Sequence, residues 1–332
     1  EEALLQGHDK TSVLADAAYR GDLQVVKLLL DKACATLRDA RDGARSYTPI
    51  HEAVRGKQAE ACRVLCAAAP HFVKKTYILC YAAECSTLDV CKVLIDSGAS
   101  VNSKSFCGWY TPLHSAAQYQ GTDVCKLLID SGANINAKDI LGFTPLHKAA
   151  QYQGTDVCKL LIDSGALIDA TDGDDNTTLH SALWNKDTLA CKLLIHSGAN
   201  VNCKNIYGTT PLHIAAQYQD TDVCKLLIDS GALIDAKDNN GNTPLHSAAR
   251  NKDTHACKVL IHSGANVNCK NNYGTTPLHI AARAGKLLTV SLLTKSGADV
   301  NIRDNSNRIA LQMAQLRNHN IVARFLQQLG IS

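Results

Sequence analysis

The sequence predicts an all-α repeat solenoid, a stack of antiparallel helix pairs with projecting β-hairpin-like fingers, and three observations carry that reading. The stretch QYQGTDVCKLLIDSGA occupies residues 118–133 and returns unchanged at 151–166. TPLH or a near copy begins at Thr111, Thr144, Thr177, Thr210, Thr243 and Thr276, each 33 residues after the last. Aromatics are only 5% of the 332 residues and Met occurs once, so the apolar 45% must pack mainly as Ala, Leu, Ile, Val and Cys. Every position around an active site has different neighbours, whereas each module of a stack meets the same kind of neighbour, so strict repetition favours the stack.

Each repeat reads as two short helices and a turn. Thr-Pro sets a capping hydroxyl before a proline at the first helical position, where a missing N–H costs nothing and the fixed φ suits the helix. The Leu and Ala-Ala that follow are small and apolar on one side, so a neighbouring helix can approach closely. A second helix begins near Thr155-Asp156, buries Val157, Cys158, Leu160, Leu161 and Ile162, and stops at Gly165 in the left-handed conformation. From there to the next Thr-Pro, stretches such as ALIDATDGDDN and ANVNCKNIYG hold Gly, Asn and Asp at turn spacing, which predicts the finger. Weaker copies, SVLADAA, TPIHEAV, YILCYAA and IALQMAQ, extend the period both ways. First helices then start near residues 12, 48, 77, 111, 144, 177, 210, 243, 276 and 309, ten repeats in a single domain over 1–332, the last of them a C-terminal cap.

These residues closely resemble the ankyrin repeat family, whose 33-residue unit carries the TPLH signature and a Gly-Ala segment leading into the finger; the likeness covers about residues 12–329. It implies an L-shaped section, with fingers at right angles to the helix pairs and the first helices lining a concave, partner-binding face. It also implies a structural role for the TPLH histidines His114, His147, His180, His213, His246 and His279, which hold neighbouring fingers in register. A second period is superimposed: the repeats at Thr144 and Thr210 share one text and those at Thr177 and Thr243 another, so the pattern also returns after 66 residues, the mark of duplication by pairs.

Several function classes are disfavoured. Net charge is +3, from 34 basic and 31 acidic residues, which makes no electrostatic case for nucleic acid or an anionic membrane. No run approaches 18 apolar residues, and EEALLQGHDK lacks the regions of a secretory signal. We therefore read the chain as cytoplasmic or nuclear, in a reducing compartment, and as a cytosolic protein or an excerpt of a longer one. Seven of the 14 Cys recur in one slot of the second helix (Cys62, Cys91, Cys125, Cys158, Cys191, Cys224 and Cys257); at about 10 Å between stacked helices they lie too far apart for disulfides and serve as small buried hydrophobes. No Cys-x-x-Cys, His-Glu-x-x-His, Gly-x-Ser-x-Gly or phosphate loop occurs, so we expect no metal, no cofactor and no catalysis.

What remains is the placement of large side chains. Phe106, Trp109, Tyr110, Tyr119, Phe143, Tyr152, Trp184, Tyr207, Tyr218 and Tyr273 fall in fingers or just after the Ala-Ala of first helices, and Arg250 continues the strip. The aliphatic core has no need of them, and such rings dominate protein interfaces. The expected function is non-catalytic recognition of another protein by a chain that is monomeric on its own. Two alternatives stay open: the recognition arm of a larger ubiquitin-ligase adaptor or bacterial effector, and, less favoured, a nucleotide- or oligonucleotide-binding ankyrin domain.

Overall fold

The computed structural model describes residues 10–33, 48–70, 77–105, 109–218, 220–251 and 253–329. The chain forms two compact units, residues 1–167 and 168–332. Among the described residues the first holds the helix pairs α1 (Lys10–Arg20) and α2 (Leu23–Ala33), α3 (Pro49–Arg55) and α4 (Ala59–Ala68), α5 (Ile78–Glu84) and α6 (Leu88–Asp96), α7 (Pro112–Gln118) and α8 (Thr122–Asp130), and α9 (Pro145–Gln151) and α10 (Thr155–Asp163). The second holds α11 (Thr178–Trp184) and α12 (Thr188–His196), α13 (Pro211–Tyr218) and α14 (Thr221–Asp229), α15 (Pro244–Ala248) and α16 (His255–His262), α17 (Pro277–Arg283) and α18 (Leu287–Lys295), and α19 (Ala310–Leu316) and α20 (Asn320–Gln328).

The predicted local signals produce these helices. Thr111 is extended, with φ −86° and ψ 164°, and Pro112 opens α7 at its first position. Leu113, Ala116 and Ala117 are then fully buried, and burying one such Leu is worth about 2 kcal/mol. The second helix α10 ends at Ser164 and the chain reverses through Gly165 at φ +93°, where a side chain would be strained. Its buried stripe is narrower than the sequence predicts. Val157, Cys158 and Leu161 are buried, but Leu160 and Ile162 are only half-buried. A nine-residue helix turns just one face, spaced i, i+1 and i+4, toward its neighbours, and these two lie at its margins. The first helices also end in left-handed residues, which in this case are not glycine: Gln120, Gln153 and Lys186 have φ between +56° and +61°.

In the second unit the fingers are tied to one another by backbone bonds, from Ile206 N–H to the Asp174 carbonyl, Asn239 to Tyr207, Asn272 to Asn240 and Asn305 to Tyr273, at 2.9–3.0 Å. Side chains of Asn239, Asn272 and Asn305 add a parallel row to the carbonyls of Ile206, Asn239 and Asn272. The approach is close: a Cβ on Gly208 would lie 2.7 Å from the Asn239 nitrogen. Among the described residues the fingers contain no strand, only an isolated antiparallel bridge between Thr171 and Thr177. In the sixth repeat Asp175 takes the finger-glycine slot and adopts φ +58°, against +72° to +82° at Gly142, Gly208, Gly241 and Gly274.

Candidate functional site

The TPLH histidines set the geometry of the faces that could bind a partner. In His114 the Nδ1 atom accepts the Thr111 N–H at 3.2 Å and lies 2.8 Å from the Thr111 hydroxyl, while Nε2 lies 3.0 Å from the Phe143 carbonyl. A backbone N–H can only donate and a carbonyl can only accept, so Nδ1 is bare and Nε2 carries the proton. The second unit repeats this arrangement at His180, His213, His246 and His279, whose Nε2 atoms reach the carbonyls of Thr209, Asn242, Thr275 and Arg308 at 2.9–3.1 Å. His147 accepts the Thr144 N–H in the same way. Burial disfavours the imidazolium and holds His114 and His246 down to about 4, only partly offset by the bond to the carbonyl. The recurrent thiols are equally inert: burial pushes Cys62, Cys91, Cys125, Cys224 and Cys257 up to about 12. Among the described residues no three His, Cys, Asp or Glu side chains gather as a metal site.

A second link joins the bases of the fingers. Asn102 donates to the Gly132 carbonyl and accepts the Asn134 N–H; Asn136 repeats both bonds in the next repeat, and Asn202 and Asn268 do so at further steps of 66 residues. In the alternate repeats Asp169 and Asp235 occupy the slot and only accept, from Asn200 and Asn266. The 66-residue period is thus expressed in hydrogen bonding.

In the first unit Trp109, Tyr119 and Tyr152 are 54%, 53% and 45% exposed. Trp109 is held at φ +60° in its finger, with the Lys104 ammonium 4.7 Å from the ring centre. Tyr110 and Phe143 are half-buried and do something the sequence did not announce. Lys148, a buried lysine on α9, places its ammonium 4.8 Å from the Tyr110 ring and 4.4 Å from the Phe143 ring, and 3.2 Å from the Asp139 carboxylate. The acid neutralises a charge that burial would otherwise penalise, and the two ring faces add cation–π attraction. Phe106 lies outside the described residues.

In the second unit Tyr207 and Tyr273 occupy equivalent finger positions and are 62% and 61% exposed. Trp184 and Tyr218 end their first helices; Trp184 leans on His180 at 6.2 Å and Tyr218 lies under the Lys186 ammonium at 5.0 Å. Arg250 is exposed and borders an open cleft of about 380 Å³ that also takes in Tyr273, Arg283, Asp304 and Arg308. Arg283 is not among the residues that the aromatic pattern marks. Its signal was positional, since Trp184, Gln217, Arg250 and Arg283 all stand seven residues after a helix-starting Thr.

The family model for ankyrin repeats (3 copies) matches residues 68–139, 137–205, 179–271 and 249–332. The chain belongs to the ankyrin repeat family. Among solved structures it is similar to the human ASB11 ankyrin repeat domain, at 27% identity over 67% of this chain and 98% of that one, with a TM-score of 0.60. It is also similar to the ankyrin repeat domain of Bcl-3, a unique member of the IkappaB protein family, at 30% identity over 65% of this chain and 98% of that one, with a TM-score of 0.57. None of the curated proteins matches the chain. Ankyrin repeat domains are generally protein-interaction modules without catalytic activity. Among the described residues no helix is long and apolar enough to cross a membrane.

Proposed function

We propose that this ankyrin chain is a non-catalytic scaffold that binds partner proteins through its fingers and the C-terminal ends of its first helices. One observation carries the reading. The core of each unit is closed by Leu, Ala, Val and Cys, yet Trp109, Tyr119 and Tyr152 in the first unit and Tyr207 and Tyr273 in the second remain exposed, all at finger or helix-end positions. Such rings offer large, stiff contact area at little entropic cost. The described cysteines are free thiols, which fits a reducing compartment such as the cytoplasm.

The test separates binding from folding. Partners are captured from cytosol on the wild-type chain, identified by mass spectrometry and titrated against two double variants, Tyr119→Ala with Tyr152→Ala and Tyr207→Ala with Tyr273→Ala. Truncating an interface anchor typically costs about 2 kcal/mol, roughly thirtyfold in affinity. At least one pair should show that loss with circular dichroism and melting temperature unchanged. If both pairs bind as the wild type does, or if the loss comes with early melting, the rings are not the anchors.

A further inference from the structure

We propose that the cleft of the second unit beside Arg250 and Arg283 is the docking site for an acidic segment of a partner protein, an extended peptide whose carboxylates meet these two guanidinium groups. The inference rests on the protein-recognition reading above and gives it a chemistry.

The cleft encloses about 380 Å³ and presents three guanidinium groups, Arg250, Arg283 and Arg308, against the single carboxylate of Asp304. That carboxylate is already committed. Its Oδ2 accepts both Nε and Nη2 of Arg308 at 3.0 and 2.8 Å, and its Oδ1 accepts the N–H groups of Ser306 and Arg308 at 2.9 Å. Arg250 and Arg283 form no ion pair and no side-chain hydrogen bond among the described residues. Arg317 adds a further positive charge nearby. Burial, then the charges of Arg250, Arg317 and Arg308, press the Arg283 guanidinium below its ordinary value, so its neighbourhood is electrostatically uncompensated. A guanidinium fork binds a carboxylate bidentately, and Arg250 and Arg283 are both exposed to receive one.

The rest of the lining selects a peptide over a bare anion or a nucleic acid strand. Buried Ile280 and Met313 supply apolar wall for a side chain. The Tyr273 hydroxyl donates to Asn240 Oδ1 at 3.4 Å, which leaves the Asn240 amide NH₂ free to donate to a peptide carbonyl. The guanidinium row does not extend along its own helix slot, which holds Gln217 and Trp184 in the two preceding repeats, where a phosphate backbone following that slot would need further cations.

The probe is a fluorescein-labelled peptide of four Glu-Leu repeats, titrated against the full chain by anisotropy, with the Lys-Leu counterpart and an eight-residue oligothymidylate as comparators. Saturable binding of the acidic peptide is expected, weakening with salt, at least tenfold weaker in Arg250→Ala with Arg283→Ala, and partly restored in the corresponding double Lys variant. Arg324→Ala, which removes the same charge from an exposed site outside the cleft, should bind as wild type. Three results overturn the proposal: no saturable binding of the peptide, equal loss in Arg324→Ala, or oligothymidylate binding more tightly than the peptide. If the peptide fails while captured partners still depend on Tyr207 and Tyr273, the cleft assignment falls and the scaffold reading stands. If the peptide binds through the arginines while neither tyrosine pair affects any partner, the ring assignment falls and the cleft stands.

Discussion

Acid should loosen these repeats through their histidines. His114 and His246 titrate near 4 in the folded chain against an ordinary 6.5. Between those values the unfolded chain holds a proton that the folded chain excludes, so stability rises with pH across the window. The contribution is complete above about 6.5 and is lost as pH falls toward 4. A separation of about 2.5 pH units at about 1.4 kcal/mol each makes the loss about 3 kcal/mol per histidine. The decisive variant is His246→Gln, because the last repeat already uses Gln312, whose Oε1 accepts the Ile309 N–H at 3.0 Å. A glutamine keeps an acceptor for the Thr243 N–H and cannot titrate. Losing the 3.0 Å bond to the Thr275 carbonyl should cost about 1 kcal/mol at pH 7. In return, the dependence of stability on pH between 4.5 and 6.5 should flatten by up to one proton. Urea unfolding of both proteins through that range measures the slope, and ¹⁵N spectra of the imidazoles report each tautomer directly. Imidazoles titrating near 6.5, or protonated on Nδ1, would refute the reasoning, as would identical slopes.

Other perturbations act on single repeats. The Thr178 hydroxyl is fully buried with no hydrogen-bond partner, in the slot where most repeats have proline, so Thr178→Val should raise stability by about 1 kcal/mol, measured by thermal unfolding. Lys148→Ser, which installs the residue found at Ser115 and Ser181, should cost about 3 kcal/mol because Asp139 is left buried without its cation; the melting midpoint checks it, and an unchanged value would mean the ion pair contributes nothing. Hydrogen exchange should be faster at residues 170–180 than at 237–246, since Asp175 holds a left-handed backbone that Gly241 adopts without strain. Deleting residues 305–332 should leave the remaining helix pairs folded but aggregating, because Ala310, Leu311, Met313 and Leu326 no longer cover the preceding pair; light scattering at high concentration reads the outcome.

The parts of the fold legible in the sequence are those where one residue type has one physical reason to be there. Thr-Pro can start a helix and does so at Thr111, Thr144, Thr210, Thr243 and Thr276; Gly after the second helix can turn left-handed and does so at Gly132 and Gly165. The left-handed ends of the first helices escaped notice because Gln120, Gln153 and Lys186 carry no such signature. Lys148 escaped for a different reason. A lysine reads as exposed until its slot is compared with Ser115, Ser181 and Ile214, all buried, and of its partners Asp139 and Phe143 belong to the finger just before its helix while Tyr110 comes from the preceding one. That partnership also changes the meaning of Tyr110 and Phe143, which composition alone assigned to the same surface as Tyr119 and Tyr152. Arg283 carries no aromatic mark of an interface, because the helix slot changes chemistry from ring to guanidinium between Trp184 and Arg250.

The Asn and Asp links at the finger bases bear on how such a chain is inherited. Every one of these bonds spans a single period, from Asn202 to Gly231 and Leu233, or from Asp235 to Asn266, and none skips a repeat. A gene that gains or loses whole periods therefore never strands a donor in the interior of the array. The alternation narrows this further. Asn136 and Asn202 accept the N–H of Leu167 and Leu233, whereas Asp169 and Asp235 accept that of Asn200 and Asn266, so the cut that restores every partner to its own kind removes two repeats at once. The 66-residue echo in the sequence is what selection would leave after crossovers between misaligned copies, with length free to drift in steps of two while the geometry of each joint stayed fixed.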